Sequence, residues 1–174
     1  VVGVEALARW RRADGQLVRP LHFIEAIHRE QLIDRFTDRL LEKSCAWKVR
    51  WARLGLHLKI SVNVSMLNLA DVTAADRFQS IVRDHGVDPR EVVLELTENS
   101  VMGEAAHALN VLARLRLKGF GLSVDDFGTG YSSLSQLSQI PFTELKIDQS
   151  FVTGAASQPR KRAVIEASLE LARK

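Results

Sequence analysis

The sequence predicts an α/β protein in which a mainly parallel sheet is covered by helices on its outside. Segments with strand spacing alternate with segments of helical spacing along the 174 residues, and this alternation provides five strands. We find no repeat of fixed period, no linker and no low-complexity segment, so we expect a single domain. A polar residue stands near the C-terminal end of every predicted strand, and this regularity indicates one shared site.

The predicted strands are identified by β-branched runs and by alternation with a period of two. The clearest example is residues 58–65, where Ile60, Val62 and Val64 share one face and Ser61, Asn63 and Ser65 share the other. The complete set of predicted strands is 1–10, 58–65, 92–98, 122–126 and 144–148.

The predicted helices are identified by apolar residues with a period near 3.6. Residues 34–54 place Phe36, Leu41 and Cys45 on one face, and Gly55 ends that helix. The polar segment 11–20 contains Asp14-Gly15, which is a turn signal. The complete set of predicted helices is 21–31, 34–54, 73–86, 103–118, 133–138 and 160–174.

Composition limits the function classes. With 46% hydrophobic and 26% charged residues, the chain is typical of soluble globular proteins, and no apolar run approaches the ~20 residues of a membrane span. The net charge of +3 suits a phosphate-bearing ligand but is too small to indicate a DNA-binding surface. The single cysteine, Cys45, excludes an internal disulfide and fits a reducing cytoplasm, where we expect the protein, although a longer parent protein could be tethered to a membrane.

Two adjacent carboxylates, Asp125 and Asp126, end the fourth predicted strand, and a turn with Gly128 and Gly130 follows them. Because desolvating one carboxylate is already costly, consecutive aspartates at the end of a buried strand suggest a bound cation. The other polar strand residues supply more oxygen ligands and one ammonium group; they are Glu5, Asn63, Glu95 and Lys146.

This set of residues predicts divalent-metal phosphoester chemistry. Oxygen ligands without a matching histidine or cysteine favour Mg²⁺, Mn²⁺ or Ca²⁺ over Zn²⁺. Adjacent aspartates could serve two ions that clamp the attacking and leaving oxygens of a phosphoester. Lys146 could orient a water molecule or neutralise a phosphoryl oxygen.

Simpler interpretations exist for each residue taken alone. A strand asparagine such as Asn63 is usually a hydrogen-bonded structural residue, Glu5 alone suits a surface, and Lys146 alone suits a snorkelling lysine. The recurrence at five strand ends favours the site. The tripeptide Asp126-Phe127-Gly128 also matches a kinase metal-binding motif, but no glycine-rich loop or His-Arg-Asp precedes it, so a kinase is not supported.

A series of motifs in a fixed order resembles a known family. The motifs are Glu5-Ala6-Leu7 with Arg9-Trp10, Val62-Asn63-Val64-Ser65, Glu95-Leu96-Thr97-Glu98, Asp125-Asp126-Phe127-Gly128-Thr129-Gly130-Tyr131-Ser132-Ser133-Leu134 and Leu145-Lys146-Ile147-Asp148. They resemble the EAL family of bacterial cyclic di-GMP phosphodiesterases over essentially the whole chain, and the run that begins at Asp125 is the most specific of them.

The resemblance implies a (β/α)8 TIM-like barrel whose first strand runs antiparallel to the others. Only five or six strands are present, and the family's later Glu-Gly-Val-Glu strand is missing, so residues 1–174 would be the N-terminal two-thirds of an EAL domain. The implied activity is hydrolysis of cyclic di-GMP to linear pGpG with Mg²⁺ or Mn²⁺, with two ions. The alternative is an inactive EAL-like cyclic di-GMP receptor or protein-interaction module, and we expect the fragment alone to be inactive.

The resemblance also implies roles for individual residues. Those matching catalytic positions are Lys146, Glu5 and Asp126; those matching metal ligands are Glu5, Asn63, Glu95, Asp125 and, for the second ion, Asp126; those matching substrate contacts are Arg9 and Leu7; and those organising the loop after Asp126 are Glu98, Gly128 and Gly130. The implied partners are cyclic di-GMP, a second copy in a homodimer, and fused sensory or GGDEF-type domains. We expect no contact with DNA or, from this segment, with a membrane.

Overall fold

A curled five-stranded parallel sheet forms the centre of the structure, a computed structural model that describes residues 2–98, 105–129 and 140–173. The predicted α/β class is therefore confirmed. The strands of the chain are β1 (Gly3–Ala6), β2 (Trp10–Arg11), β3 (Leu17–Val18), β4 (Lys59–Asn63), β5 (Val92–Thr97), β6 (Gly121–Phe127) and β7 (Glu144–Ile147). The sheet has the order β1-β4-β5-β6-β7, while β2 and β3 form a separate two-stranded ribbon.

Helices cover the outer face of this sheet. The α-helices are α1 (Ile24–Arg29), α2 (Ile33–Arg53), α3 (Ala74–Asp84), α4 (Ala105–Leu117), α5 (Gln149–Val152) and α6 (Pro159–Ala172). Short 3₁₀ helices occupy Pro20–His22, Met66–Ala70 and Pro89–Glu91. The predicted helix 133–138 lies outside the described residues. Among the helices described, none combines the length and the apolar character that crossing a bilayer requires.

The expected antiparallel orientation of the first strand is wrong. β1 pairs in parallel with β4, and the register joins Gly3 to Lys59 and Ala6 to Val62. The physical reason lies in the connection, since the chain leaves β1 through the β2–β3 ribbon and returns along the 21-residue helix α2. A helical crossover of this kind carries the chain back to the starting edge of the sheet, so the next strand runs in the same direction.

The first predicted strand, residues 1–10, is also too long. β1 ends at Ala6, and Trp10 belongs instead to the β2–β3 ribbon, where it pairs with Val18. The Asp14-Gly15 turn closes that ribbon, because Asp14 Oδ1 accepts a hydrogen bond from the Gln16 amide at 2.9 Å and Gly15 adopts a φ of 85°. A turn signal between two short apolar segments indicates a hairpin, and the sequence interpretation recognised only the turn.

The core lies between the sheet and the helices. Ile60, Val62, Leu94, Leu96 and Leu122 are fully buried strand side chains that pack into one apolar cluster with the outer helices. Residues that alternate with them along the strands point to the opposite, inner face of the sheet. The inner face therefore collects the polar residues that the sequence singled out.

Candidate metal centre and adjoining cavity

Strand register brings the polar residues of the inner face together. In parallel pairing, Asn63 on β4 stands beside Glu95 on β5, and Thr97 at the end of β5 stands beside Asp125 on β6. Glu5 on β1 lies beside Ser61 on β4. Side chains of directly paired residues project to the same side of a sheet, so this register builds a continuous polar surface near the C-terminal ends of the strands.

Three carboxylates converge on this surface. Glu5, Glu95 and Asp125 each offer an oxygen atom, and these atoms lie within 4.8 Å of one another. Glu5 is exposed, Glu95 is buried and Asp125 is half-buried. Oxygen atoms at such separations suit a hard divalent cation such as Mg²⁺ or Mn²⁺, which would offset the mutual repulsion of the carboxylates. The side chains present therefore fit the ion that the sequence predicts.

Glu95 is the most deeply placed member of the cluster, with only 1% of its surface exposed. Burial raises the pKa of its carboxyl above the ordinary value, and hydrogen bonds from Lys146 and Ser61 oppose that shift only in part. A buried carboxylate is tolerated when a cation compensates its charge. In the described structure, Lys146 provides that compensation.

Lys146 lies on β7 and reaches across the inner face. Its ammonium group forms an ion pair with Glu95, and Nζ lies 3.5 Å from Glu5 Oε2. Burial alone would lower the pKa of Lys146, but the hydrogen bond with Glu95 and the charges of Glu95, Asp125 and Glu5 raise it above the ordinary value. The side chain consequently remains a cation at neutral pH and donates hydrogen bonds rather than accepting protons.

Asn63 fixes the orientation of Glu5. Its Nδ2 donates a hydrogen bond to Glu5 Oε1 at 2.9 Å. Because this bond uses the nitrogen of the amide, the Asn63 oxygen stays available as a ligand. The sequence predicted both residues as metal ligands, and the structure places them in direct contact.

Asp126 differs from its neighbour Asp125 in its backbone. Its φ is 56°, in the left-handed region that residues other than glycine adopt infrequently. Burial raises the pKa of the Asp126 carboxyl, and the nearby negative charges of Asp125, Asp148 and Glu5 raise it further. The left-handed conformation separates the two aspartates, so that Asp125 joins the carboxylate cluster and Asp126 is exposed beside it.

Two contacts hold the chain that follows Asp126. The buried carboxylate of Glu98 accepts a hydrogen bond from the Gly128 amide at 2.7 Å. Gly128 has a φ of 98°, and a Cβ atom there would lie 2.9 Å from the ring of Phe151 on α5. Glycine is therefore required at this position for both conformation and space. Gly130, which the sequence assigned to the same loop, lies outside the described residues.

The two predicted substrate contacts, Leu7 and Arg9, are separated. Leu7 lines a cavity of about 450 Å³ whose wall also includes Glu5 and Asn63. Arg9 is exposed, donates to the carbonyl oxygen of Ala8 at 2.6 Å, and lines a different cavity of about 410 Å³. The structure thus brings Leu7, but not Arg9, to the cavity beside the carboxylates.

Sequence reasoning missed three polar residues around the centre. Ser61 helps to lower the pKa of the Glu95 carboxyl, and the charge of Asp148 helps to raise the pKa of Asp126. Ser123 stands beside Glu95 in the β5–β6 register, is completely buried, and has no hydrogen-bond partner for its Oγ within the described ranges. Period-two alternation placed Ser61 on the face of Asn63 without giving it a part in the centre, and the same rule places Ser123 on the face of Asp125.

Comparison with protein families gives a match over the whole chain. The family model described as the EAL domain matches residues 1–174. Among curated proteins, the cyclic di-GMP phosphodiesterase RocR of Pseudomonas aeruginosa is 34% identical over 172 residues, covering 99% of this chain and 44% of RocR. The bifunctional diguanylate cyclase/cyclic di-GMP phosphodiesterase MucR of the same organism is 34% identical over 174 residues, covering 99% of this chain and 25% of MucR. The chain therefore spans less than half the length of these relatives.

Solved structures also match this chain over nearly its whole length. The MucR phosphodiesterase in complex with c-di-GMP superimposes with a TM-score of 0.89 at 35% identity, covering 99% of this chain and 70% of that one. The EAL enzyme Bd1971 in its cAMP- and cyclic-di-GMP-bound form has a TM-score of 0.85 at 29% identity, covering 99% of this chain and 48% of that one.

Proposed function

This chain belongs to the EAL domain family, and on that premise we propose that it is part of a metal-dependent phosphodiesterase that hydrolyses cyclic di-GMP to linear pGpG. Curated relatives with this domain are cyclic di-GMP phosphodiesterases. The observation that carries the proposal is the cluster of Glu5, Glu95 and Asp125, whose oxygen atoms lie within 4.8 Å of one another beside the cation Lys146.

The residues of the centre divide into ligands and a fixed cation. Glu5, Asn63, Glu95 and Asp125 would hold a Mg²⁺ or Mn²⁺ ion, and Asp126 would serve a second ion beside it. The bound ions would supply an activated water molecule and neutralise charge on the phosphoryl group. Asn63 keeps Glu5 in position through its 2.9 Å hydrogen bond, so the ligand geometry is set before the substrate arrives.

Lys146 would act on the reacting phosphoester as a cation. Because its pKa is raised, the ammonium group stays charged and can donate to the attacking water or to a phosphoryl oxygen. In the hydrolysis, the water oxygen bonds to phosphorus, the bond to the 3′ oxygen breaks, and that oxygen takes up a proton. One water is consumed, and the product carries a 5′ phosphate and a free 3′ hydroxyl.

The test is turnover by the full-length protein that carries this chain. We expect cyclic di-GMP to be converted to pGpG in the presence of Mg²⁺ or Mn²⁺, measured by chromatography of the nucleotides, and we expect Glu5→Ala to abolish it. Glu170→Ala is the matched control, because Glu170 is exposed on α6 outside the carboxylate cluster. Full turnover by Glu5→Ala would contradict the metal assignment. Tight binding of cyclic di-GMP by the wild type without hydrolysis would instead support a receptor.

The wider context of the chain is also a proposal. MucR is named as a bifunctional cyclase and phosphodiesterase, which supports fusion of this domain to others in the full-length protein. The homodimer and the cytoplasmic location stay predictions, which light scattering on the purified full-length protein and cell fractionation test.

A further inference from the structure

Glu95 lies between two strands that each present a serine hydroxyl to the inner face of the sheet. Its strand, β5, has β4 on one side and β6 on the other. Ser61 on β4 and Ser123 on β6 share the inner face with Glu95, and Ser123 is directly paired with Glu95 in the parallel register. Neighbouring strands lie only about 4.8 Å apart, so a side chain on either strand can reach the Glu95 carboxylate.

The two hydroxyls differ in what they do. Ser61 already acts on Glu95, since it helps to lower the pKa of that carboxyl. Ser123 is completely buried, and its Oγ has no hydrogen-bond partner in the described parts of the chain. A buried hydroxyl without a partner is unfavourable. On its other side, Ser123 is paired with Glu144 on β7, which is exposed, so the buried carboxylate beside this hydroxyl is that of Glu95.

The ion pair between Lys146 and Glu95 shows when this hydroxyl would be needed. In the described structure, the ammonium group of Lys146 compensates the charge of the Glu95 carboxylate. In the proposed function, a divalent ion takes over that task and Lys146 turns to the attacking water or to a phosphoryl oxygen, so Glu95 loses a hydrogen-bond donor. Carboxylates that bind a metal are themselves usually hydrogen-bonded by neighbouring groups, which fix their orientation. The Ser123 hydroxyl can replace the lost donor.

We propose that Ser123 is a positioning residue for the metal centre: when a divalent ion takes the place of Lys146, the Ser123 hydroxyl donates a hydrogen bond to the Glu95 carboxylate and holds it in its orientation as a ligand. This inference rests on the proposed function. A hydroxyl hydrogen rotates to suit its acceptor, so the Ser123 hydroxyl can turn to Glu95 without movement of β6. The hydrogen bond belongs to the ion-bound protein, which explains why the hydroxyl has no partner among the described residues while Lys146 pairs with Glu95.

The test measures Mn²⁺ affinity and metal-free stability in the full-length protein without substrate. By calorimetry, we expect Ser123→Ala to bind Mn²⁺ about tenfold more weakly than the wild type, because Glu95 loses the group that orients it. Without metal, Ser123→Ala should be at least as stable as the wild type, since the hydroxyl that it removes has no partner among the described residues. Hydrogen exchange of the β6 amides, measured without metal, should therefore be as slow as in the wild type or slower. A serine with a purely structural role would give the reverse pattern, with faster exchange and unchanged Mn²⁺ affinity.

Two further variants separate the hydrogen bond from the size of the side chain and from burial. Ser123→Cys keeps nearly the size of serine, but a thiol is only a weak donor, so this variant should bind Mn²⁺ about as weakly as Ser123→Ala. Ser168→Ala is the matched control, because Ser168 is also buried but lies on α6, where its Oγ donates to the carbonyl oxygen of Val164 at 2.6 Å. Its Mn²⁺ affinity should equal that of the wild type.

The outcomes distinguish this inference from the proposed function. Wild-type Mn²⁺ affinity in Ser123→Ala or in Ser123→Cys would overturn the role of Ser123. Faster exchange of the β6 amides in metal-free Ser123→Ala would also overturn it, because the hydroxyl would then be bonded before the ion arrives. Each of these results leaves the phosphodiesterase assignment intact, since that assignment depends on turnover by the wild type. A full-length wild type that binds no Mn²⁺ would overturn the metal-dependent function, and this inference with it.

Discussion

Replacing Lys146 with methionine tests whether this ammonium group holds the place of a cation in the metal-free protein. Lys146 forms an ion pair with Glu95, whose side chain has 0% exposure, and its own side chain is 33% exposed. Breaking a fully buried ion pair costs about 3–5 kcal/mol. Because Lys146 is partly screened by solvent, we expect Lys146→Met to lower the free energy of unfolding by about 1–3 kcal/mol.

Divalent metal should reverse this loss. Without Lys146, the carboxylates of Glu95 and Glu5 have no competing ammonium group, so Mn²⁺ should stabilise the variant more than it stabilises the wild type. An ion present at 100 times its dissociation constant adds about 2.7 kcal/mol. Hydrogen exchange of the slowest β5 amides in the full-length protein measures these changes locally, and each ~1.4 kcal/mol corresponds to a tenfold change in exchange rate.

Lys48→Met is the matched control for this experiment. Lys48 has a side chain only 6% exposed and pairs with Glu91 at 2.8 Å, away from the carboxylate cluster. Its loss should destabilise the protein, but Mn²⁺ should add only the increment that it adds to the wild type. Equal metal increments in Lys146→Met and the wild type, or an unchanged stability of Lys146→Met without metal, would refute the reasoning.

Three further predictions concern pH, the loop and the ligand asparagine. The raised pKa values of Glu95 and Asp126 mean that folding favours their protonated forms. Metal-free stability should therefore fall as the pH rises from the ordinary carboxyl range through the raised values, while Mn²⁺ affinity increases. Unfolding and calorimetry from about pH 4 upwards check both trends. Gly128→Ala should destabilise the protein by about 1–3 kcal/mol, because the φ of Gly128 is 98° and the new Cβ would lie 2.9 Å from the ring of Phe151. Thermal melting measures this loss, and a stability equal to that of the wild type would contradict it. Asn63→Leu should weaken Mn²⁺ binding by about tenfold through the loss of one ligand, with unchanged affinity counting against the assignment.

The sequence contained enough information to place the residues of the candidate centre on one face of the sheet. Asn63 and Glu95 alternate with buried apolar residues on their strands, and a period of two fixes which face each occupies. The same rule puts Asp125 on the face opposite Leu122 and Val124, and the β5–β6 register of the structure then brings it beside Thr97. Local pattern therefore predicts the membership of the inner face.

Relations between distant parts of the chain were harder to predict from the sequence. The direction of β1 depends on how α2 crosses the sheet, and a local pattern contains no information about this. The left-handed φ of Asp126 follows from the surrounding structure, since aspartate itself does not require it. The position of Arg9 in a separate cavity depends on the β2–β3 ribbon, which pattern analysis did not recognise.

The distance along the chain between Glu5 and Lys146 has a consequence for folding. These residues are 141 positions apart, lie on the first and last strands of the sheet, and approach to 3.5 Å only because the sheet curls. Closing such a long loop is entropically unfavourable until the intervening strands have paired, so their contact belongs to the late stages of folding. The carboxylate cluster is thus completed by the assembly of all five strands of the sheet, and a folding defect in any one of them would disrupt it.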